Sequence, residues 1–125
     1  MIAWEQGDYG VDVSQTQDAK KNKIHTGADI SYGIRAYLRM THNIQFLTQS
    51  ISNDVSINGE TYLNELAKYW YDRFEIDTNS NQYVIRRVSF GERPQSNEVD
   101  NELYTNYMGS LTMDTYKYAL EISNK

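Results

Sequence analysis

From about Ala28 the apolar side chains recur every three or four residues, with Ile30, Ile34, Tyr37, Leu38 and Thr41 on one face. That spacing predicts a helix ending near His42-Asn43, with Thr26 or Asp29 serving its opening turn. A short helical piece follows over Ile44 to Ser50, carrying Phe46 and Leu47. The clearest period comes next. Tyr62, Leu63, Leu66, Ala67, Trp70 and Phe74 fall at helical spacing, while Glu60, Asn64, Glu65, Lys68 and Asp72 take the other face, which places a helix from about Ser56 to Arg73. The period then changes to two. Phe74 and Ile76, a polar DTNSNQ, then Tyr83 and Ile85 predict two short strands around a turn, a small hairpin on a mainly helical chain. The last stripe, Tyr104, Met108, Leu111, Thr115, Ala119 and Ile122, predicts a helix from about Asn101 to Ser123. Asp100 or Asn101 would cap it, Tyr104 would sit in its core face, and Gly109 would be its weak point. Residues 1 to about 26 show no helical period, are punctuated by Gly7 and Gly10, and read as loop.

The two longest predicted helices are thus separated by residues from about 74 to 100. Helix pairs usually join through roughly 2–8 residues, so this connection is more than a link. Long loops mounted on rigid helices are where chemistry tends to sit. The stretch FGERPQSNEVDNELYTNYM, residues 90–108, holds four carboxylates, Glu92, Glu98, Asp100 and Glu102, beside the single proline, Pro94.

Composition narrows the choice of partner. At 125 residues the chain has the size of one domain. Its formal net charge of −5 opposes binding to a phosphate backbone, and the one basic run, Lys20-Lys21-Asn22-Lys23, is too short to reverse that, so no nucleic-acid partner is expected. The run itself reads as a solvated loop. There is no cysteine, hence no disulfide frame, thiolate metal site or cysteine nucleophile. His25 and His42 do not share a metal-ligand spacing, so neither a metal nor a cofactor is expected. No window approaches the ~20 apolar residues needed to span a bilayer, and no membrane partner is expected. The unusual content is aromatic, with eleven tyrosines, two tryptophans and three phenylalanines. Such rings pack on one edge and hydrogen-bond on the other, which suits sugar-binding surfaces as well as half-wet helix interfaces.

Read in order, Trp4-Glu5, the run from Ile24 to Tyr32 (IHTGADISY), Ala67-Lys68-Tyr69-Trp70, and the run from Val99 to Asn106 (VDNELYTN) resemble successive blocks of glycoside hydrolase family 65. The family's blocks run approximately PWES, EIHITGDIAYA, ARFW and GPDEYHENVDNNAYTNYM. The resemblance spans about residues 2 to 120. It implies a fold that is mainly α, a fragment of an (α/α)6 toroid with one small β-hairpin. Residues 1–125 would then be a single, incomplete segment of the central catalytic domain. Apolar helix faces meant for neighbours would be left exposed, which implies a larger chain or an oligomer that covers them.

The resemblance also implies chemistry. Family members, which include maltose, trehalose and kojibiose phosphorylases, acid trehalases and a glucosidase acting on collagen's glucosylgalactosyl-hydroxylysine, cleave an α-glucosidic bond with inversion. One Glu protonates the leaving oxygen while phosphate or an activated water attacks from the other face. Counting back without gaps from Val99-Asp100-Asn101 puts Pro94 at the acid's position, Arg93 at the aspartate before it and Asn97 at the family's second Glu. Proline donates no proton. Glu92 takes the acid's place only if the loop alignment shifts by two residues, and adjacent Arg93 would favour its ionised form. Glu98 falls closer to the helix entrance. The acid is therefore expected to be lost or displaced, and the isolated chain inactive.

By the same resemblance Trp4, Glu5 and His25 are the substrate-binding candidates, through stacking on a pyranose and hydrogen bonds to hydroxyls. Each has a structural alternative: Trp4 packing on a helix, His25 anchoring its loop. Asp29 either lines the pocket or caps its helix. The partner implied is an α-linked glucoside or disaccharide, with inorganic phosphate if the reaction is phosphorolysis. The contrasting reading is a non-catalytic relative that serves as a carbohydrate-binding or packing module.

Overall fold

The computed structural model describes residues 24–50, 57–89 and 98–123. Among these residues four helices and four short strands follow in the order α1 (His25–Thr41), α2 (Gln45–Thr48), α3 (Gly59–Arg73), β1 (Phe74–Asp77), β2 (Gln82–Ile85), β3 (Val88–Ser89), β4 (Glu98–Val99) and α4 (Leu103–Ser123). The chain is mainly α with a small antiparallel hairpin, consistent with a segment of an (α/α)6 toroid.

Helix α1 begins three residues before Ala28, so neither Thr26 nor Asp29 caps it, and Ile24 at the cap position makes no side-chain cap bond. It stops where expected. His42 adopts a left-handed conformation, φ 53°, and its N–H returns to the Leu38 carbonyl at 3.0 Å. Helix α3 starts later than residue 56 because Asn58 and Thr61 form a reciprocal capping box, with the Thr61 N–H donating to Asn58 Oδ1 at 2.8 Å and the Asn58 N–H to Thr61 Oγ1 at 2.9 Å. The hairpin pairs Phe74 with Ile85, Glu75 with Val84, Ile76 with Tyr83 and Asp77 with Gln82. Its turn is closed by Asp77, whose carboxylate accepts from the Ser80 hydroxyl at 2.7 Å.

Helices α1 and α4 run in the same direction, as the pairs Asp29–Tyr104, Ser31–Thr112 and Arg39–Tyr118 show. Small residues make their contact. Gly27, Ala28 and Ser31 are buried on α1, and Thr105, Thr112 and Thr115 on α4. Predicted core positions Ile30, Tyr37, Thr41 and Tyr104 are instead exposed, while the smaller Ala28, Ser31 and Thr112 are buried. The buried hydroxyls of Ser31, Thr112 and Thr115 are satisfied, whereas that of Thr26 at the start of α1 is not. Ser31 Oγ donates to the Ala28 carbonyl, Thr112 and Thr115 bond back to Met108 and Leu111, and Ser31 and Thr112 hydroxyls meet at 2.8 Å.

Two apolar clusters flank this contact. Ile24, Ala28, Trp70, Ile85, Val88, Met108 and Leu111 pack together towards the N-termini of α1 and α4. Leu38, Leu47, Leu63 and Ala119 pack at the opposite end. Gly109 is a fitted position: a Cβ there would meet Trp70 Cε3 at 2.6 Å, so the indole occupies the space that a side chain would need.

Candidate functional site

The first cluster includes Ile85 and Val88, which belong to the strands that follow α3. Strands β3 and β4 pair Val88 with Val99 and Ser89 with Glu98, forming a short antiparallel ribbon. Its base is locked by Asn101. The Asn101 N–H donates to the Ile85 carbonyl at 2.8 Å, and Asn101 Oδ1 accepts from the Ile85 N–H at 3.1 Å. Asn101 holds φ at 56°, a left-handed conformation that asparagine tolerates better than most residues. Arg87, at φ 55°, has less freedom to adopt it and is held by its N–H, which donates to Asp100 Oδ1 at 3.0 Å.

Arg86 ties the hairpin to the same base. Its guanidinium donates to Asp100 Oδ2 at 2.9 Å and lies 3.3 Å from Glu75 Oε2 and 3.7 Å from Asp77 Oδ1. The Arg86 carbonyl accepts from Arg73 at 2.9 Å, adding the end of α3. The Arg87 N–H, followed by the Arg86 side chain, holds the Asp100 carboxyl below its ordinary value, so it stays anionic. Both Asp100 oxygens are engaged as acceptors.

Glu102 caps α4. Its two oxygens accept from the Tyr104 N–H at 2.9 Å and the Thr105 N–H at 2.6 Å. Burial works to raise its pKa, but these N–H bonds, with His25 nearby, bring it below the ordinary value. A carboxylate fixed in this way cannot serve as a general acid. Asp100 and Asn101 were the expected caps; both are spent on the ribbon instead, and Glu102, one residue nearer the helix, has the reach to its free N–H groups.

Next along α4, the Tyr104 hydroxyl donates to Asp29 Oδ1 at 2.8 Å, and this bond raises the tyrosine's pKa. Asp29 thus joins α1 to α4. The Tyr104 ring stands edge-on to His25, with centroids 5.6 Å apart. His25 is the first residue of α1 and is 8% exposed. Among the described residues, Glu102, Leu103, Tyr104 and Tyr107 border an open, largely apolar surface depression at this end of α4.

Of the expected site residues, His25 therefore lies among Tyr104, Asp29 and Glu102. Trp4, Glu5 and Glu92 lie outside the described residues, as do the basic run at Lys20 to Lys23 and the side chain of Glu98. Sequence reading missed the Arg86 clasp and the capping role of Glu102. The second was signalled by an acidic residue immediately before the apolar stripe of α4. Among the described residues no group of three or more His, Asp or Glu could hold a metal, and no helix is long and apolar enough to cross a membrane.

The family model of the glycosyl hydrolase family 65 central catalytic domain matches residues 5–125. Nigerose phosphorylase from Lachnoclostridium phytofermentans is 33% identical over 96 residues, 77% of this chain and 12% of its own length. The alpha,alpha-trehalose phosphorylase of Thermoanaerobacter brockii is 32% identical over 104 residues, 82% of this chain and 12% of its own. Protein-glucosylgalactosylhydroxylysine glucosidase from Danio rerio is 26% identical over 122 residues, 98% of this chain and 17% of its own. The chain spans a small fraction of the length of these relatives. With the ribbon, the capped helix and the ordered sequence blocks falling within the matched region, the chain belongs to glycoside hydrolase family 65.

Proposed function

We propose that residues 1–125 form one segment of an inverting α-glucosidic hydrolase or disaccharide phosphorylase domain, and that the segment supplies the frame of the acid loop and part of a glucoside site. The observation that supports this most directly is the pairing of β3 with β4, locked by Asn101 and Asp100, just before the N-terminus of α4. In such a domain an acid delivered from that loop would protonate the glycosidic oxygen, and phosphate or water would attack the anomeric carbon from the opposite face. Asp100 and Glu102 are committed to N–H groups, which leaves Glu92 as the candidate acid under a shifted alignment, with Pro94 in the acid's place under the ungapped one. Trp4, Glu5 and His25 would contact the sugar. The relatives act on nigerose, trehalose and a glucosylgalactosyl-hydroxylysine by name, so the proposed ligand is an α-linked glucoside, with inorganic phosphate as co-substrate if the domain is a phosphorylase.

Large apolar side chains left in solvent, Met40 at 83% and Leu103 at 82% exposure, favour a larger chain or an oligomer as the working form. The isolated chain is accordingly expected to release no glucose or glucose phosphate from nigerose, α,α-trehalose, kojibiose or maltose, with or without inorganic phosphate. Turnover that disappears in Glu92→Gln would overturn this and restore Glu92 as the general acid.

A further inference from the structure

We propose that Asn58 is a modification site, losing its side-chain amide through a cyclic imide formed with Gly59, and that the capping box of α3 sets the rate. Asn58-Gly59 is the one Asn-Gly pair in the chain. The fold makes a demand on each half of it. Position 58 must offer a side-chain acceptor, because Oδ1 takes the Thr61 N–H at 2.8 Å, one of the donors that a helix start leaves without a backbone partner. Position 59 must be glycine, because a Cβ there would lie 2.6 Å from Phe46 Cε1 and 2.7 Å from the Phe46 carbonyl oxygen. A residue with no side chain leaves its backbone nitrogen open to the asparagine before it.

The chemistry needs water alone. The Gly59 nitrogen attacks Asn58 Cγ, the new N–Cγ bond forms as Cγ–Nδ2 breaks, and the amide leaves as ammonia with the proton of the Gly59 N–H. Water then opens the ring at Cγ, giving aspartate, or at the main-chain carbonyl, giving isoaspartate. Asn58 is only half-buried, so water reaches it. As the first residue of α3, Gly59 has no helical carbonyl behind it to accept its N–H, and the box engages Oδ1 and not the departing Nδ2. What opposes attack is the box. Asn58 is extended, with φ −134° and ψ 175°. Its N–H donates to the Thr61 hydroxyl at 2.9 Å, and that hydroxyl donates to the Asn58 carbonyl at 3.0 Å. Bringing the nitrogen to Cγ turns ψ away from this value, so the box has to open first. The two products then differ. Aspartate keeps the cap oxygen and adds a charge favoured at a helix N-terminus. Isoaspartate inserts a methylene into the main chain, which displaces Gly59 from its fitted place against Phe46 and loosens the join of α2 to α3.

The test is ageing of the 125-residue chain at mildly alkaline pH, followed by peptide mapping with mass spectrometry and enzymatic methylation of isoaspartate to separate the products. Asn58 converts in the folded chain, more slowly than in the urea-unfolded chain. Thr61→Ala, which removes the hydroxyl holding the Asn58 backbone, speeds conversion severalfold while staying short of the unfolded rate, and Thr61→Ser, which keeps a hydroxyl there, converts like wild type. Asn58→Asp, the product with the normal main chain, has a urea midpoint at or above that of wild type at neutral pH. A folded chain whose Asn58 is still intact once the unfolded chain has converted overturns the site. Equal rates in wild type and Thr61→Ala overturn control by the box.

Discussion

Gly109→Ala isolates the fit between α3 and α4. In an exposed helix interior this change stabilises by about 1 kcal/mol, because alanine loses less backbone freedom than glycine. Here the new Cβ would lie 2.6 Å from Trp70 Cε3, 3.0 Å from Cζ3 and 3.3 Å from Phe74 Cζ. Trp70 is fully buried among Ile85, Val88 and Met108, so the indole cannot swing clear without moving its neighbours. Overpacking of this kind costs about 1–3 kcal/mol. The steric cost at sub-contact distance lies towards the upper end and exceeds the propensity gain, leaving a net loss of about 1–2 kcal/mol. With a urea m-value of about 2 kcal/mol per molar, the midpoint falls by roughly 0.5–1 M. Tyrosine and tryptophan fluorescence against urea measures it. In a Trp70→Phe background the smaller ring recedes from the new methyl, so Gly109→Ala should cost less there than in wild type, a positive coupling in the double-mutant cycle. A midpoint that stays level or rises in the single variant would show that the indole yields, and would refute a close-fitted contact.

Two further outcomes follow from named contacts. Glu102 has a depressed pKa in the folded chain, so its stabilisation is fully present above the ordinary carboxylate range and is lost as pH falls through the folded value. Glu102→Gln should therefore lower the urea midpoint at pH 6, with a deficit that shrinks as the pH is taken down through the acid range, and a loss of equal size at every pH would contradict a charge-dependent cap. Thr112→Val removes the buried hydroxyl that meets Ser31, at a cost of about 1 kcal/mol, while Ser31 keeps its bond to the Ala28 carbonyl. Adding Ser31→Ala should cost less than it does alone; strict additivity of the urea midpoints would argue against the pair.

Helix existence was legible because α3 and α4 repeat apolar residues over several turns, and the hairpin because its period of two breaks at a polar turn. The faces of α1 were not legible. Its buried residues at the α4 side include Ala28 and Ser31, which carry little hydrophobic signal, whereas Ile30 and Tyr37, which dominate the pattern, stay partly exposed, Tyr37 against Phe46. Tyr104 misled for the same reason. Its burial was inferred from the α4 stripe, but its hydroxyl has its partner on α1 at Asp29, and the ring stays at the rim. At the candidate site the block order marked the stretch before α4 but did not predict the pairing of β3 with β4. It did not give the Arg86 clasp, because the partners Glu75, Asp77 and Asp100 converge only after the hairpin folds back.

The recess at Gly109 also acts as an angular key. A helix advances by about 100° per residue, so Tyr107 lies about 160° and Tyr104 about 140° around α4 from Gly109. Seating the indole in that recess therefore fixes the rotation of α4 about its own axis, and this rotation is what turns both tyrosines away from α3 and out to the rim. Turned by one residue, α4 would present a side chain to Trp70 and swing both rings off the rim. A glycine buried beneath a tryptophan thus sets the heading of side chains on the far side of the helix.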